Sequence, residues 1–189
     1  MSTTANPIGR LQLTNVRLSF PALFTPEAYQ PGDPLKYKAT FLIPKDSELA
    51  KKVDAAILAV LKARSPAKAE SILKQIRTNP NKFCWQDGDN KEYDGYAGMM
   101  ALTTKATVRP LVIDRDKTPL TAEDGRPYPG CYVNASIEFF SYDSGGIGVS
   151  ASVRGVQFFK DGDAFAAGRP ADSDEFEAVT EGADADEFA

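Results

Sequence analysis

Two stretches in the last third of the sequence alternate apolar and polar residues around four turn formers. Cys131 to Tyr142 puts Val133, Ala135, Ile137 and Phe139 on one parity, Ile147 to Lys160 continues in the same style, and Asp143-Ser144-Gly145-Gly146 separates them. A period of two with a Gly-rich turn specifies a long antiparallel hairpin. The rest of the chain has to fold around that hairpin, so a mainly β architecture is the starting point.

Earlier segments fit this frame. Arg10 to Phe20 reads as a strand whose apolar parity changes between Leu11/Leu13 and Val16/Leu18/Phe20, which predicts a bulge near Thr14-Asn15. The segment Pro21 to Pro34, with four prolines and a glycine, predicts a loop. In Leu35 to Ile43 the residues Leu35, Tyr37, Ala39, Phe41 and Ile43 share one face and Lys36, Lys38 and Thr40 the other, predicting a half-buried strand with a basic outer face. Pro44 ends it. Asp46 or Ser47 can then cap a helix whose apolar stripe is Leu49, Val53, Ile57 and Leu61. Ser65-Pro66 predicts the start of a second, shorter helix ending near Thr78, and Lys68, Lys74, Arg77 and Lys82 read as a solvated face. Gln86 to Asn90 reads as a turn, Tyr96 to Ile113 as two short strands or one bent strand broken at Pro110, and Asp114 to Gly130 as a loop.

Five or six antiparallel strands with one helical insertion fit an OB-fold-like barrel better than a sandwich, which usually needs seven strands. The expected fold class is therefore mainly β with a helical insertion (α+β). The expected organisation is a flexible N-terminus over 1–9, a barrel domain over 10–165 with the helical insertion at about 46–78, and a disordered acidic tail over 166–189, where large apolar residues nearly vanish.

Composition narrows the function. The sequence has no histidine, so no Ser-His-Asp or Cys-His catalytic arrangement and no His-containing zinc site can be assembled. Cys84 and Cys131 are 47 residues apart without a CxxC, read as small buried residues, and the N-terminus lacks a signal-peptide pattern. A reducing, cytoplasmic setting is expected. The net charge of −4 conceals an asymmetry: eight acids and no Lys or Arg follow residue 171, leaving 18 acids against 22 basic residues before it, a body of +4 with a tail of −8. Such a split points to nucleic acid or to a tail that recruits partners.

OB-fold-like barrels hold single-stranded nucleic acid with cations along the backbone and exposed rings under the bases. The cationic candidates, all on predicted polar parities of strands, are Arg17, Lys36, Lys38, Lys105, Arg109 and Arg154, and the stacking candidates are Tyr132, Phe140 and Tyr142. Trp85 and Tyr96 can stack or close the core. Phe188, with Asp184, Asp186 and Glu187 beside it, offers a partner-docking element at the end of the tail. The carboxylate pairs Asp87/Asp89 and Asp161/Asp163 raise a competing reading, a Mg²⁺-dependent nuclease, although Asp-Gly pairs are equally turn chemistry and the spacing fits no metal loop. An adaptor protein that binds no DNA is the third reading. No cofactor is expected.

Tyr128 to Ser136, Gly148 to Ala151 and Gly155-Val156-Gln157, together with Val16 to Pro21 and Lys36 to Pro44, resemble a family of tailed-phage single-stranded-DNA-binding proteins first catalogued as a domain of unknown function. The similarity spans roughly residues 10–165. It implies an OB-fold with a helical insertion, no catalytic activity, and an acidic C-terminal tail that recruits replication proteins. In many such proteins the aromatic residue is the last one, whereas here Ala189 follows Phe188.

Overall fold

The computed structural model describes residues 7–165 and 173–179. In chain order the strands are β1 (Arg10–Glu27), β2 (Lys36–Pro44), β3 (Trp85–Asp87), β4 (Met99–Ala106), β5 (Leu111–Ile113), β6 (Tyr132–Asp143) and β7 (Ile147–Lys160), and the helices are α1 (Glu48–Arg64) and α2 (Ala69–Ile76). The terminal hairpin is β6 and β7, paired from Asp143↔Ile147 back to Tyr132↔Lys160 with a bulge that makes Arg154 the extra residue opposite Ser136 and Ile137.

Five strands close into a ring. β1 pairs with β2, β2 with β4, β4 with β7 through Lys105↔Ser152, β7 with β6, and β6 with β1. Short strands β3 and β5 flank the ring on β4 and β7. A closed five-stranded barrel with a helical insertion is an OB-fold-like architecture. Inward residues such as Leu18, Phe41, Leu102, Ile137 and Phe158 fill it, and α1 packs Val53, Ile57 and Leu61 against that core. Ser47 caps α1 by accepting a hydrogen bond from Ala50 N at 3.1 Å.

The sequence expectations need four adjustments. β1 does not end at Phe20 but runs to Glu27 through Pro21 and Pro26, pairing with β2 only at Ala22↔Lys38 and Glu27↔Lys36 between register shifts; prolines are tolerated where the ladder is already interrupted. The predicted bulge is present, with Asn15 at φ 53° between the Leu13 and Val16 pairings to β6. Ser65 does not open α2. Its N–H closes α1 on Leu61 O at 2.8 Å, and α2 starts four residues later. β3 takes up Trp85–Asp87, so the turn expected over Gln86 to Asn90 is confined to the 3-10 turn Gly88–Asn90. β2, finally, is not half-buried: Ala39 to Ile43 are buried on both faces, while Leu35 is 63% exposed.

What covers the outer face of β2 is a second small cluster of Leu42, Tyr96, Ala101 and Phe165. Residues 161–165, continuing from β7, lie as a strap beside Gly130. Arg17 donates from Nε to Gly130 O at 3.0 Å and from Nη2 to Asp163 O at 2.7 Å, and Phe165 N donates to Pro129 O at 3.1 Å. Gly130 has φ 101°, and a Cβ there would sit 2.2 Å from Asp163 O, so the close approach requires glycine. A short 3-10 turn at Ser173–Glu175 lies inside the region read as disordered. Residues 166–172 and 180–189 of that region, and residues 1–6, fall outside the described residues.

Burial pushes the Cys84 thiol up to about 12 and the Cys131 thiol up to about 11. Neither is a reactive nucleophile at neutral pH. Ellman's reagent at pH 8 is therefore expected to titrate no thiol in the native protein within minutes and both after denaturation. Truncating Phe165 to Ala, which removes its ring from the outer cluster, is expected to cost about 3 kcal/mol in urea unfolding; a loss under about 1 kcal/mol would show the strap to be loosely held.

Candidate nucleic-acid interface

The expected contact residues fall into three groups on the outer surface of the barrel. The first lies where β2 meets β4. Lys38 and Lys105 are directly paired across the strands, and Lys36 is two residues along on the same parity of β2. Like charges directly opposite each other destabilise a sheet, and an anion between them relieves the repulsion. Lys38 Nζ has one carboxylate partner, Glu27 Oε2 at 3.0 Å. Arg109 follows β4 with its guanidinium 5.8 Å from the Phe24 ring centre.

The second group stands on β1, β6 and β7. Arg17 is the Cα partner of Tyr132, its guanidinium lies 5.8 Å from that ring, and Lys160 Nζ lies 4.7 Å from it. Arg17 is also 4.4 Å from the Phe165 ring and engaged with two carbonyls, so it anchors the strap. Arg154 and Arg10 flank Glu138, at 3.8 and 3.6 Å. The third group is at the hairpin end of β6. Phe140 is 44% exposed, and the Tyr142 hydroxyl donates to Asn81 O at 3.1 Å. Eight residues of strand, about 26 Å at ~3.3 Å each, separate Phe140 from Tyr132. The three aromatics form a line rather than a cluster.

Two exposed aromatics that the parity argument hid complete the surface. Phe20 sits in the β1 irregularity at φ 45°, a conformation uncommon for a bulky residue, and its ring is 41% exposed. Tyr93 packs edge-on against it at 5.0 Å between ring centres, and Tyr96 backs Tyr93 at 5.2 Å. Phe20, Tyr93, Pro21 and Phe165 line a cleft of ≈ 420 Å³ together with Lys38 and Glu27. Only the proline after Phe20 hinted at this irregularity in the sequence; the backbone reversal that turns the ring outward has no side-chain signature.

Of the ambiguous aromatics, Trp85 and Tyr96 are both core residues at 3% exposure. Trp85 Nε1 donates to Asp54 Oδ1 at 3.0 Å, and the Tyr96 hydroxyl donates to Ser19 Oγ at 3.0 Å. Three of the four carboxylates in these pairs have other partners. Lys45 bridges Asp87 at 2.6 Å and also bonds Asp89, and its hydrogen bonds hold both carboxyls below the usual carboxylate range. Asp161 Oδ1 accepts from the Tyr128 hydroxyl at 2.7 Å. Among the described residues no group of three or more Cys, Asp or Glu is placed to hold a metal ion, and no helix is long and apolar enough to cross a membrane. Asp184, Asp186, Glu187 and Phe188 lie outside the described residues.

A sequence model of the family described as Enterobacter phage Enc34, ssDNA-binding protein, matches residues 10–189. The chain belongs to this phage ssDNA-binding protein family. A protein named p50 of Acyrthosiphon pisum secondary endosymbiont phage 1 is 53% identical over 170 residues, covering 89% of this chain and 92% of that protein. The single-stranded DNA-binding protein of bacteriophage Enc34, solved in complex with ssDNA, superposes with a TM-score of 0.69 at 26% identity, covering 84% of this chain and 90% of that one. Its C-terminally truncated form gives 0.67 at 26%, covering 83% and 88%. The fold alone is shared with gp2.5, the single-stranded DNA-binding protein of bacteriophage T7, at a TM-score of 0.50 and 14% identity over 90% of this chain and 98% of that one. Membership agrees with the fold and resemblance expected from Val16 to Pro21, Lys36 to Pro44 and the terminal hairpin. It is a family of binding proteins, not of enzymes.

The strap makes its own prediction for a member of this family. Arg17→Ala removes both carbonyl contacts to residues 130 and 163, so hydrogen exchange at the amides of 161–165 is expected to accelerate at least tenfold while β6 amides stay protected. Unchanged protection of 161–165 would show that Phe165 alone holds the strap.

Proposed function

We propose that this chain binds single-stranded DNA without base-specific readout and coats it during phage DNA replication or recombination. The observation that carries this reading is the outer face of the barrel at β1, β2 and β4. There Lys36, Lys38 and Lys105 occupy neighbouring positions beside an aromatic cleft built from Phe20 and Tyr93. Phosphates would be met by these lysines with Arg17, Arg109 and Arg154, and bases by Tyr132, Phe140, Tyr142 and the newly placed Phe20 and Tyr93. The solved Enc34 relative bound to ssDNA supports the assignment of the ligand.

In this reading residues 10–165 are the binding unit and 166–189 an appended tail. Its eight carboxylates and Phe188 dock replication or recombination proteins and compete electrostatically for the DNA groove. The reaction, if the groove is electrostatic, is a salt-sensitive binding equilibrium and not a cleavage.

Two measurements test this. Log affinity for oligo-dT is expected to fall with log salt at a slope of about −3, as for four or five neutralised phosphates at ~0.7 each, and Lys38→Glu with Lys105→Glu is expected to flatten that slope by about 1.4. A flat response in the wild type would remove the electrostatic groove, and a labelled strand shortened in Mg²⁺ would favour the nuclease reading. Deleting residues 172–189 is expected to tighten binding at low salt by removing eight negative charges; unchanged affinity would leave the tail only its partner-docking role.

A further inference from the structure

The excess positive charge of the body is unevenly placed. Residues 46–82, the helical insertion and the turn after it, hold eight Lys and Arg against four Asp and Glu, whereas 1–45 and 83–171 hold fourteen of each. The whole +4 therefore sits on the insertion, and the barrel that carries Lys36, Lys38 and Lys105 is neutral overall. Lys62, Lys68, Lys74 and Arg77 are exposed, and among the described residues the ion pair on this surface is that of Lys51 with Glu48.

Fixed contacts join this surface to β6. Arg64 donates from Nε to Ser141 Oγ at 2.6 Å and from Nη2 to Ser141 O at 3.1 Å. Lys82 Nζ donates to Ser144 O at 2.5 Å and lies 5.7 Å from the centre of the Tyr142 ring. Phe140 lies two residues before Tyr142 on the outer parity of the same strand, 44% exposed, while Ser141, which Arg64 meets, is on the opposite parity. The outer side of β6 thus leads from Tyr132, next to Arg17 and Lys160, to Tyr142, about 33 Å away at ~3.3 Å per residue. One end adjoins barrel cations and the other adjoins helical ones.

We propose that the helical insertion is a second phosphate-binding surface, so that a long single strand is held along β6 from the barrel to the helices. This rests on the reading of the chain as a single-stranded-DNA binder. A polyanion is drawn to uncompensated charge, and the barrel cations are partly compensated: Glu27 meets Lys38, and Glu138 meets Arg10 and Arg154. The cations of α1 and α2 have far fewer such partners. Phe140 adds an exposed ring on the outer parity of β6 two residues before Tyr142, where Lys82 approaches, and Arg64 and Lys82 tie the hairpin end to the helical insertion.

The experiment uses the full-length protein and two lengths of oligo-dT. One, of about 6 nucleotides, lies within the span a single OB-fold covers, and the other, of about 20, exceeds it. Lys62→Glu, Lys68→Glu and Lys74→Glu are combined in one variant. The expected result is a salt slope for the long oligonucleotide shallower by about 2, three contacts at ~0.7 each, with the short one bound as by the wild type. An unchanged slope for the long oligonucleotide, or an equal loss at both lengths, overturns the second surface while the single-strand reading stands. Failure of the wild type to bind either length overturns that reading and the proposal with it.

Discussion

The barrel depends on one strand serving two walls. Along its first half β1 pairs with β6, from Arg10↔Glu138 to Arg17↔Tyr132, and along its second half it pairs with β2, from Arg17↔Leu42 to Glu27↔Lys36. A flat strand cannot do both, because closing a sheet requires its strands to bend and coil. The two residues at positive φ, Asn15 and Phe20, mark where β1 bends. The second bend has a chemical consequence: it takes Phe20 out of the inward series that Val16 and Leu18 begin and presents its ring to solvent beside Tyr93. Closure and the aromatic cleft come from the same irregularity.

That coupling explains how far the fold could be read from the residues. The terminal hairpin, β2, α1 with its Ser47 cap and the first bulge follow from local pattern, since each is set by alternation, period or capping within a dozen residues. The strand through Pro21 and Pro26 was hidden because proline signals a loop wherever local rules alone apply, and only the broken register with β2 makes it tolerable. The misjudged exposure of β2 has a similar cause. Leu42 and Thr40 are covered by residues far away in sequence, Tyr96 and Phe165, and no window around Leu42 contains them. Of the interface, the cations on strands were legible from parity, whereas Phe20 and Tyr93 depend on backbone geometry at a single position.

Arg17 illustrates why a residue's parity does not define its role. It is on the outer face, as its position on β1 predicts, yet two of its donors are spent on the carbonyls of Gly130 and Asp163, and its guanidinium lies on Phe165. The contact is possible only because Gly130 lacks a Cβ, which lets the strap approach to hydrogen-bonding distance. Since Phe165 also lines the aromatic cleft, the acidic tail begins at that cleft. Its origin is fixed by packing, and on the proposed reading the field of the eight carboxylates beyond it is screened by salt.

Charge then divides the molecule differently from structure. The barrel supplies shape, aromatic rings and cations, some of them matched locally by carboxylates, and is neutral in sum; the helical insertion supplies the net positive charge. Long-range attraction of a polyanion follows net charge, whereas the final geometry of a bound strand follows close contacts and stacking. The insertion would therefore govern how readily DNA arrives, and the β1, β2 and β4 face how it is seated. On the proposed reading the acidic tail opposes the first of these more than the second, because eight negative charges cancel a field more effectively than they displace a stacked base. A chain with a net charge of −4 can in this way attract DNA with one part of its surface and regulate that attraction with another.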